Sequence, residues 1–304
     1  MKGRNLLSLA DCNPTELQAL LELAAKMKGG ETPQLPSKQV LGLLFYKAST
    51  RTRVSFSVAM YHLGGAVIDL NPQVMQVGRG EPIQDTARVL AGYLDAIAIR
   101  TFAQSDLETF AHYAQIPVIN ALSDRVHPCQ VLADLLTIKE VFGQLEGLTL
   151  TYLGDGNNVA HSLLLGCALA GVNIRVATPQ QYQPEKAIVE QAKALASGTE
   201  VVITTDAKMA TEGAQVIYTD VWASMGQEDS AEARLPLFQP YQVNETLLTL
   251  AASDAIILHC LPAHRGEEIT EAVLESARSR VWQQAENRMH AQKALLAKVL
   301  GVIT

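Results

Sequence analysis

The sequence predicts an α/β fold of two doubly wound domains, each with a mainly parallel sheet flanked by helices. Two observations carry this expectation. Short continuous apolar runs alternate with amphipathic helical stretches from one end of the chain to the other, the pattern of strands buried on both faces. A length of 304 residues, with 48% hydrophobic and 18% charged content, suits two globular cores.

In chain order, Asn13 is placed to cap a first helix, Pro14 fits its first turn, and Glu16 sits where the helix dipole favours negative charge. Leu17, Leu20, Leu21, Ala24 and Met27 form its apolar stripe, and Gly29-Gly30 ends it. Strands are expected at Val40–Phe45, Ala66–Leu70, Ala96–Ile99 and Val118–Ile119, with helices beginning near Pro82, Ser105 and Pro128. A second series follows at Leu148–Leu153, Ile174–Ala177, Val201–Ile203, Val216–Thr219 and Ala255–Leu258. Helices near Val159–Ala170 and Pro184–Ala196 space it. The boundary is placed near Phe142–Gly147, which gives domains over residues 1–140 and 141–285. A last amphipathic helix runs from about Val281 to Leu300, and residues 286–304 are expected to pack back on the first domain.

A formal net charge of −7 argues against nucleic acid as a partner, because such binding needs a basic face. Any anion site must then be a local cluster of arginines and backbone N–H groups. The first fourteen residues hold no unbroken apolar run of the secretory kind, and stretches such as Ser162 to Val172 are too short to span a bilayer. Cys12, Cys129, Cys167 and Cys260 show neither C-x-x-C pairing nor clustering with histidine, so they read as reduced thiols of a cytoplasmic protein.

In open parallel sheets ligands bind beyond the carboxyl ends of the strands. Polar or reactive residues follow six of the apolar runs: Lys47 to Arg53, Arg100, His127 to Gln130, Gly154 to Asn158, Asp220, and His259 to Pro262. The turn Ser49-Thr50-Arg51-Thr52-Arg53 opens a helix, so unpaired N–H groups, hydroxyls and guanidinia crowd one place, which suits a phosphate. An ordinary cap followed by solvated arginines is the plainer alternative. Gly154-Asp155-Gly156-Asn157-Asn158 is only half of a dinucleotide fingerprint: Val159 replaces the third glycine and no acidic residue follows Ala177. Asn157 and Asn158 are better read as amides offered to a ligand, with a tight turn as the alternative. His127 gains weight from Pro128 and Gln130 beside it, and Cys260 is either a small buried residue or a reactive thiol.

Taken in order and spacing, these segments resemble the carbamoyltransferases, and within them the ornithine branch. Glu286-Asn287-Arg288-Met289-His290 and Ser224-Met225-Gly226 join the set, and the likeness covers essentially the whole chain. One departure stands at Phe45-Tyr46-Lys47-Ala48, where the family usually carries Phe-Glu-Lys.

The resemblance implies a reaction between carbamoyl phosphate and L-ornithine that yields L-citrulline and phosphate, with no metal or organic cofactor. It implies that Ser49, Thr50, Arg51 and Thr52 hold the phosphate, and that Arg100, His127 and Gln130 hold the carbamoyl group. Gln76 would come from a neighbouring subunit of a homotrimer or a multiple of one. Asn158, Asp220, Ser224 and Met225 would hold ornithine, while Cys260, Leu261 and Arg288 close the site from the second domain. The same site serves arginine biosynthesis or breakdown.

The competing acceptors are aspartate, putrescine or an acylated ornithine. Asp220 and Cys260 suit an amino group better than a second carboxylate, although His264 and Arg265 stand near in sequence. A nicotinamide-dependent dehydrogenase is disfavoured by the broken glycine pattern. A catalytically silent relative rests only on Tyr46.

Overall fold

The computed structural model describes residues 1–31, 33–35, 37–223 and 231–302. The chain divides into two compact units. Unit 1 comprises Met1–Ala133 with Asn287–Thr304, and unit 2 comprises Asp134–Glu286.

Unit 1 is built on four strands, β1 (Val40–Phe45), β2 (Ala66–Leu70), β3 (Ala96–Arg100) and β4 (Val118–Leu122). They pair in the order β2-β1-β3-β4, and every pairing is parallel. Helices α1 (Pro14–Lys28), α2 (Arg51–His62), α3 (Ile83–Ala91) and α4 (Gln104–Ala114) belong to this unit. Helices α5 (Pro128–Phe142) and α12 (Val281–Val299) contribute residues to both units. Asn13 forms the expected cap: its side chain accepts from Glu16 N while Glu16 reaches back to the Asn13 N–H. The expected strands form, and β4 runs on to Leu122 because Asn120, although polar, is fully buried and hydrogen-bonded. Leu6 covers the β4 edge, donating to Val118 O and accepting from Asn120 N. Leu44, Ile97, Ile99, Leu107, Phe110 and Val118 form one buried cluster of this unit.

Unit 2 carries five strands: β5 (Thr149–Leu153), β6 (Asn173–Ala177), β7 (Val201–Thr204), β8 (Val216–Thr219) and β9 (Ile256–His259). Their order is β7-β6-β5-β8-β9, again wholly parallel. Its helices are α6 (Asn158–Ala170), α7 (Lys186–Leu195), α8 (Ala207–Thr211), α9 (Ala231–Phe238), α10 (Glu245–Leu248) and α11 (Glu271–Leu274). Short helices such as α8, α10 and α11 went unread in the sequence, since four or five residues are too few to show a helical period.

Strand order reverses between β1 and β3 in the first sheet and between β5 and β8 in the second. Those are the crevices where open α/β sheets bind ligands. The Ser49–Arg53 turn and Arg100 flank the first; Gly154–Asn158 and Asp220 flank the second.

The second glycine of Gly154-Asp155-Gly156 has a structural explanation. A Cβ on Gly156 would lie 2.4 Å from Pro184 N and 2.5 Å from Tyr182 O, both backbone atoms. The residue is glycine because the chain passes against it, with its N–H donating to Tyr182 O. Gly156→Ala is therefore expected to destabilise unit 2 by about 1–3 kcal/mol. Thermal unfolding of the variant beside the wild type checks this, and an unchanged melting temperature would contradict the close approach.

Candidate active site

Helix α2 starts at the carboxyl end of β1. Its cap residue Thr50 has helical backbone angles and its side chain makes no cap hydrogen bond, and no acidic residue lies in the first turn. The positive end of this helix is thus left to other partners. Thr52 is buried while Arg51 is exposed. Arg53, which shares the turn, is not directed to the same purpose: it pairs with Asp69 and lies 4.9 Å over the Phe45 ring. Lys47 likewise pairs with Asp124 and sits 4.4 Å over Phe102, so this chain supplies a carboxylate to Lys47 from another loop.

Arg100 ends β3, where the pairing with β4 shifts register between Ile99 and Arg100. Such an irregularity re-aims the side chain at the sheet's rim. His127 and Gln130 come from the start of α5 and are buried, as are Arg100 and Arg288. Arg288 Nη1 donates to Gln130 Oε1 at 2.5 Å and its Nη2 to Thr52 Oγ1 at 3.1 Å. Burial, reinforced by the charges of Arg288 and Arg100, pushes His127 well below the usual imidazole range, so the ring is neutral at pH 7. Thr52 and Gln130 are thus hydrogen-bonded to Arg288, and the charges of Arg288 and Arg100 act on His127, so the five residues form one basic cluster in unit 1. The role implied by the resemblance grouped Arg288 with the second domain, whereas the expected packing of residues 286–304 put it with the first; it belongs to unit 1, where it meets Thr52 and Gln130. Gln76 is exposed on the 3-10 turn Gln76–Arg79.

In unit 2, Asp220 follows β8 and Cys260 follows the adjacent strand β9. Cys260 Sγ donates to Asp220 Oδ1 at 3.0 Å, and Val221 N donates to the same oxygen at 2.8 Å. Asn158 is the first residue of α6 and half-buried. Leu261, also half-buried, has φ 57, a left-handed backbone uncommon outside glycine. Its N–H donates to His259 Nδ1 at 2.9 Å, and His259 Nε2 meets the buried Glu268 carboxylate at 2.9 Å. Ser224 and Met225 lie outside the described residues.

Two residues had other duties than the sequence suggested. Asn157, read with Asn158 as an amide offered to a ligand, is committed within the protein: it caps α6 and donates to Asp220. Asp155, which the sequence showed only as part of a glycine-rich turn, forms a buried ion pair with Arg234 at 2.9 Å. Arg234 also donates to Trp222 O at 2.8 Å and lies 4.7 Å over the Tyr182 ring. Partners 79 positions apart carry no local signal, so only the fold could reveal this pair.

Asp220, His259 and Cys260 offer ligand atoms within 4.8 Å of one another, as do His264, Glu267 and Glu268. In the first group these atoms already bond to one another, to Asn157, to Leu261 N or to Glu268, so a hydrogen-bonded network accounts for them.

Each unit is a doubly wound α/β domain, one with a buried basic cluster and the other with an acid–thiol pair at its strand ends, the domain class of the carbamoyltransferases. The carbamoyl-P binding domain model of aspartate/ornithine carbamoyltransferase matches residues 4–140, and the Asp/Orn binding domain model matches residues 146–299. The chain belongs to the aspartate/ornithine carbamoyltransferase family. It is 69% identical over 300 residues to the ornithine carbamoyltransferase of Nostoc punctiforme, covering 98% of each chain. That of Synechocystis is 63% identical, with 100% of this chain and 98% of the relative covered. The crystal structure of ornithine carbamoyltransferase from Gloeobacter violaceus superposes with a TM-score of 0.91 at 57% identity, covering 99% of this chain and 100% of that one. The Pyrococcus furiosus enzyme gives a TM-score of 0.95 at 50% identity, covering 100% of this chain and 99% of that one.

Burial raises the Asp155 carboxyl from 3.8 to about 6, against the opposing pull of Arg234. A raised carboxyl favours the fold below pH 4, and that contribution is lost as pH rises through 6. Relative to Asp155→Asn, which does not titrate there, the wild type should lose up to about 3 kcal/mol of stability between pH 4 and pH 7. Paired denaturation curves across that range measure the difference; a constant offset would refute the raised carboxyl.

Proposed function

We propose that this chain is an ornithine carbamoyltransferase, moving the carbamoyl group of carbamoyl phosphate to the side-chain amine of L-ornithine to give L-citrulline and phosphate. The observation that carries the acceptor is the Asp220–Cys260 pair, joined at 3.0 Å at the ends of two adjacent strands. A carboxylate with a thiol beside it attracts an ammonium group and offers an amine a polar neighbour, whereas it would repel the second carboxylate of aspartate. The names of the relatives above support the same acceptor.

The chemistry fits the groups present. A lysine-like side-chain amine has a free pKa near 10.4, so presenting it neutral at pH 7 costs roughly 4.6 kcal/mol. Desolvation and the neighbouring Cys260 offset part of this. The amine's lone pair forms the new N–C bond while the carbonyl pair moves onto oxygen. Arg100, Thr52 and the neutral His127 are the donors for that developing oxyanion, with Gln130 on the carbamoyl amide. The C–O bond to phosphate then breaks, and the proton lost from nitrogen balances the product as hydrogen phosphate. Ser49, Thr50, Arg51, Thr52 and the first N–H groups of α2 hold the departing phosphate. Arg288 adds charge while fixing Thr52 and Gln130. Asp220 pairs with the α-ammonium group of ornithine, and Asn158, Ser224 and Met225 join it in holding that substrate; Cys260 and Leu261 bound the carbamoyl side.

Exposed Gln76 and the exposed apolar residues Val54, Tyr61, Ile68, Val74 and Tyr93 of unit 1 support a trimer in which Gln76 serves a neighbouring chain. A cytoplasmic enzyme of arginine biosynthesis accords with the family. Among the described residues no helix is long and apolar enough to cross a membrane.

Citrulline should form from carbamoyl phosphate and ornithine, and neither aspartate nor putrescine should replace ornithine at comparable concentration. Arg51→Ala should raise the KM for carbamoyl phosphate roughly 10- to 150-fold, the loss of one charge-assisted contact. Unchanged carbamoyl phosphate kinetics would remove Arg51 from the phosphate site. At subsaturating ornithine the rate should climb between pH 7 and pH 9, and a flat profile would contradict attack by the free amine.

A further inference from the structure

The Asp220 carboxylate has a second oxygen, and what holds it is a residue to which neither the resemblance nor the mechanism above gives a role. Asn157 Nδ2 donates to Asp220 Oδ2 at 2.9 Å. The orientation of that amide is dictated by its other end. Asn157 Oδ1 accepts from Val159 N at 2.9 Å and Ala160 N at 3.2 Å, two donors of the first turn of α6, and Tyr152 Oη lies 3.3 Å away. Turning the amide over would set its NH2 group against two backbone N–H groups, so the nitrogen must face Asp220. The helix start thus locks the rotamer, and the rotamer leaves a donor aimed at the acid.

With Val221 N and Cys260 Sγ on Oδ1 and Asn157 on Oδ2, Asp220 is gripped from β8, β9 and α6 together. We infer that Asn157 is a positioning residue for ornithine: its amide donates to Asp220 Oδ2 and fixes which oxygen of the acid stands beside Cys260. This inference rests on the ornithine reading of the same half-site. The residue acts through Asp220 and does not itself need to touch substrate.

The titratable groups around Asp220 set what a change at Asn157 does. Cys260 and His259 come from β9, Tyr152 from β5, Tyr218 from β8, and Asp155 from the turn before α6. Against these groups, the Asn157 amide, Val221 N and Cys260 Sγ are the donors that hold the acid's two oxygens. An acceptor in place of the Asn157 donor would set two carboxylates together, and paired carboxylates hold a proton to higher pH.

Asn157→Asp tests this, because aspartate caps a helix as well as asparagine does and replaces only the outward donor with an acceptor. Wild type and variant are compared in citrulline formation over pH 6 to 9, varying each substrate in turn, with melting temperatures recorded. The KM for ornithine should rise at least tenfold, the KM for carbamoyl phosphate should stay within about twofold, and the acid limb of kcat/KM for ornithine should move to higher pH. Asn157→Ser, which keeps a cap but cannot reach Asp220, should show the same ornithine defect without the shifted limb; it carries the test if the aspartate variant does not fold. Folded variants with wild-type ornithine KM and an unmoved pH profile would overturn the inference. So would a loss spread equally over both substrates together with a lowered melting temperature, which would make Asn157 a cap and nothing more. Failure of the wild type itself to make citrulline would instead reject the ornithine reading, so the two failures are distinguishable.

Discussion

Parallel strands deliver all their carboxyl ends to one rim of a sheet, and the helix that follows each strand brings its unpaired N–H groups to the same rim. Both units of this chain obey that constraint, and most of their chemistry follows from it. In unit 1 the start of α2 is left without a side-chain cap exactly at the reversal of strand order, while Arg100 reaches the same rim across a register shift. In unit 2 the start of α6 is capped by Asn157, so the dipole there is already satisfied and the amide's remaining donor serves Asp220 instead. The same architectural device lacks a side-chain cap in one unit, where the proposed ligand is an anion, and is capped in the other, where the proposed ligand carries a cation.

Electrostatics separate the two halves as cleanly as the sequence does. Unit 1 gathers Arg100, Arg288 and a neutral His127 in a buried setting. A neutral imidazole donates a hydrogen bond without adding a third charge to two guanidinia, so the cluster is strongly but not prohibitively positive. The neighbouring cations that could have diluted this role are occupied: Lys47 by Asp124, Arg53 by Asp69. Unit 2 presents an acid and a thiol, and its buried Arg234 is neutralised by Asp155.

The sequence made the sheets legible because a strand buried on both faces must be apolar throughout, as in Val40–Phe45, Val216–Thr219 and Ile256–His259. It made many candidate site residues legible because most of them stand just beyond the ends of those runs, as Arg100, Asp220 and Cys260 do. What it concealed depends on distant partners. Nothing local marks Asp155 as the counter-ion of Arg234, Glu268 as the partner of His259, or Arg288 as a neighbour of Thr52. Asn157 and Asn158 are adjacent and chemically identical, yet the one at the cap position turns inward while the other begins the helix; side-chain direction at a helix start is a property of the backbone path, not of composition. Gly156 shows the reverse case, a motif-like glycine explained by the chain at Tyr182–Pro184 that crosses against it.

The four thiols differ in a way that bears on chemical damage. Cys12, Cys129 and Cys167 are buried, and burial pushes their thiols upward, the first two to about 12. They are closed to electrophiles and oxidants as long as the core stays packed. Cys260 alone is partly open, and its sulfur shares a hydrogen with Asp220. An oxidant meeting the folded protein therefore reaches the sulfur beside Asp220 before the cysteine sulfurs that support the core. Under the proposed function, injury of this kind would fall on the acceptor half-site and not on the packing that holds the architecture.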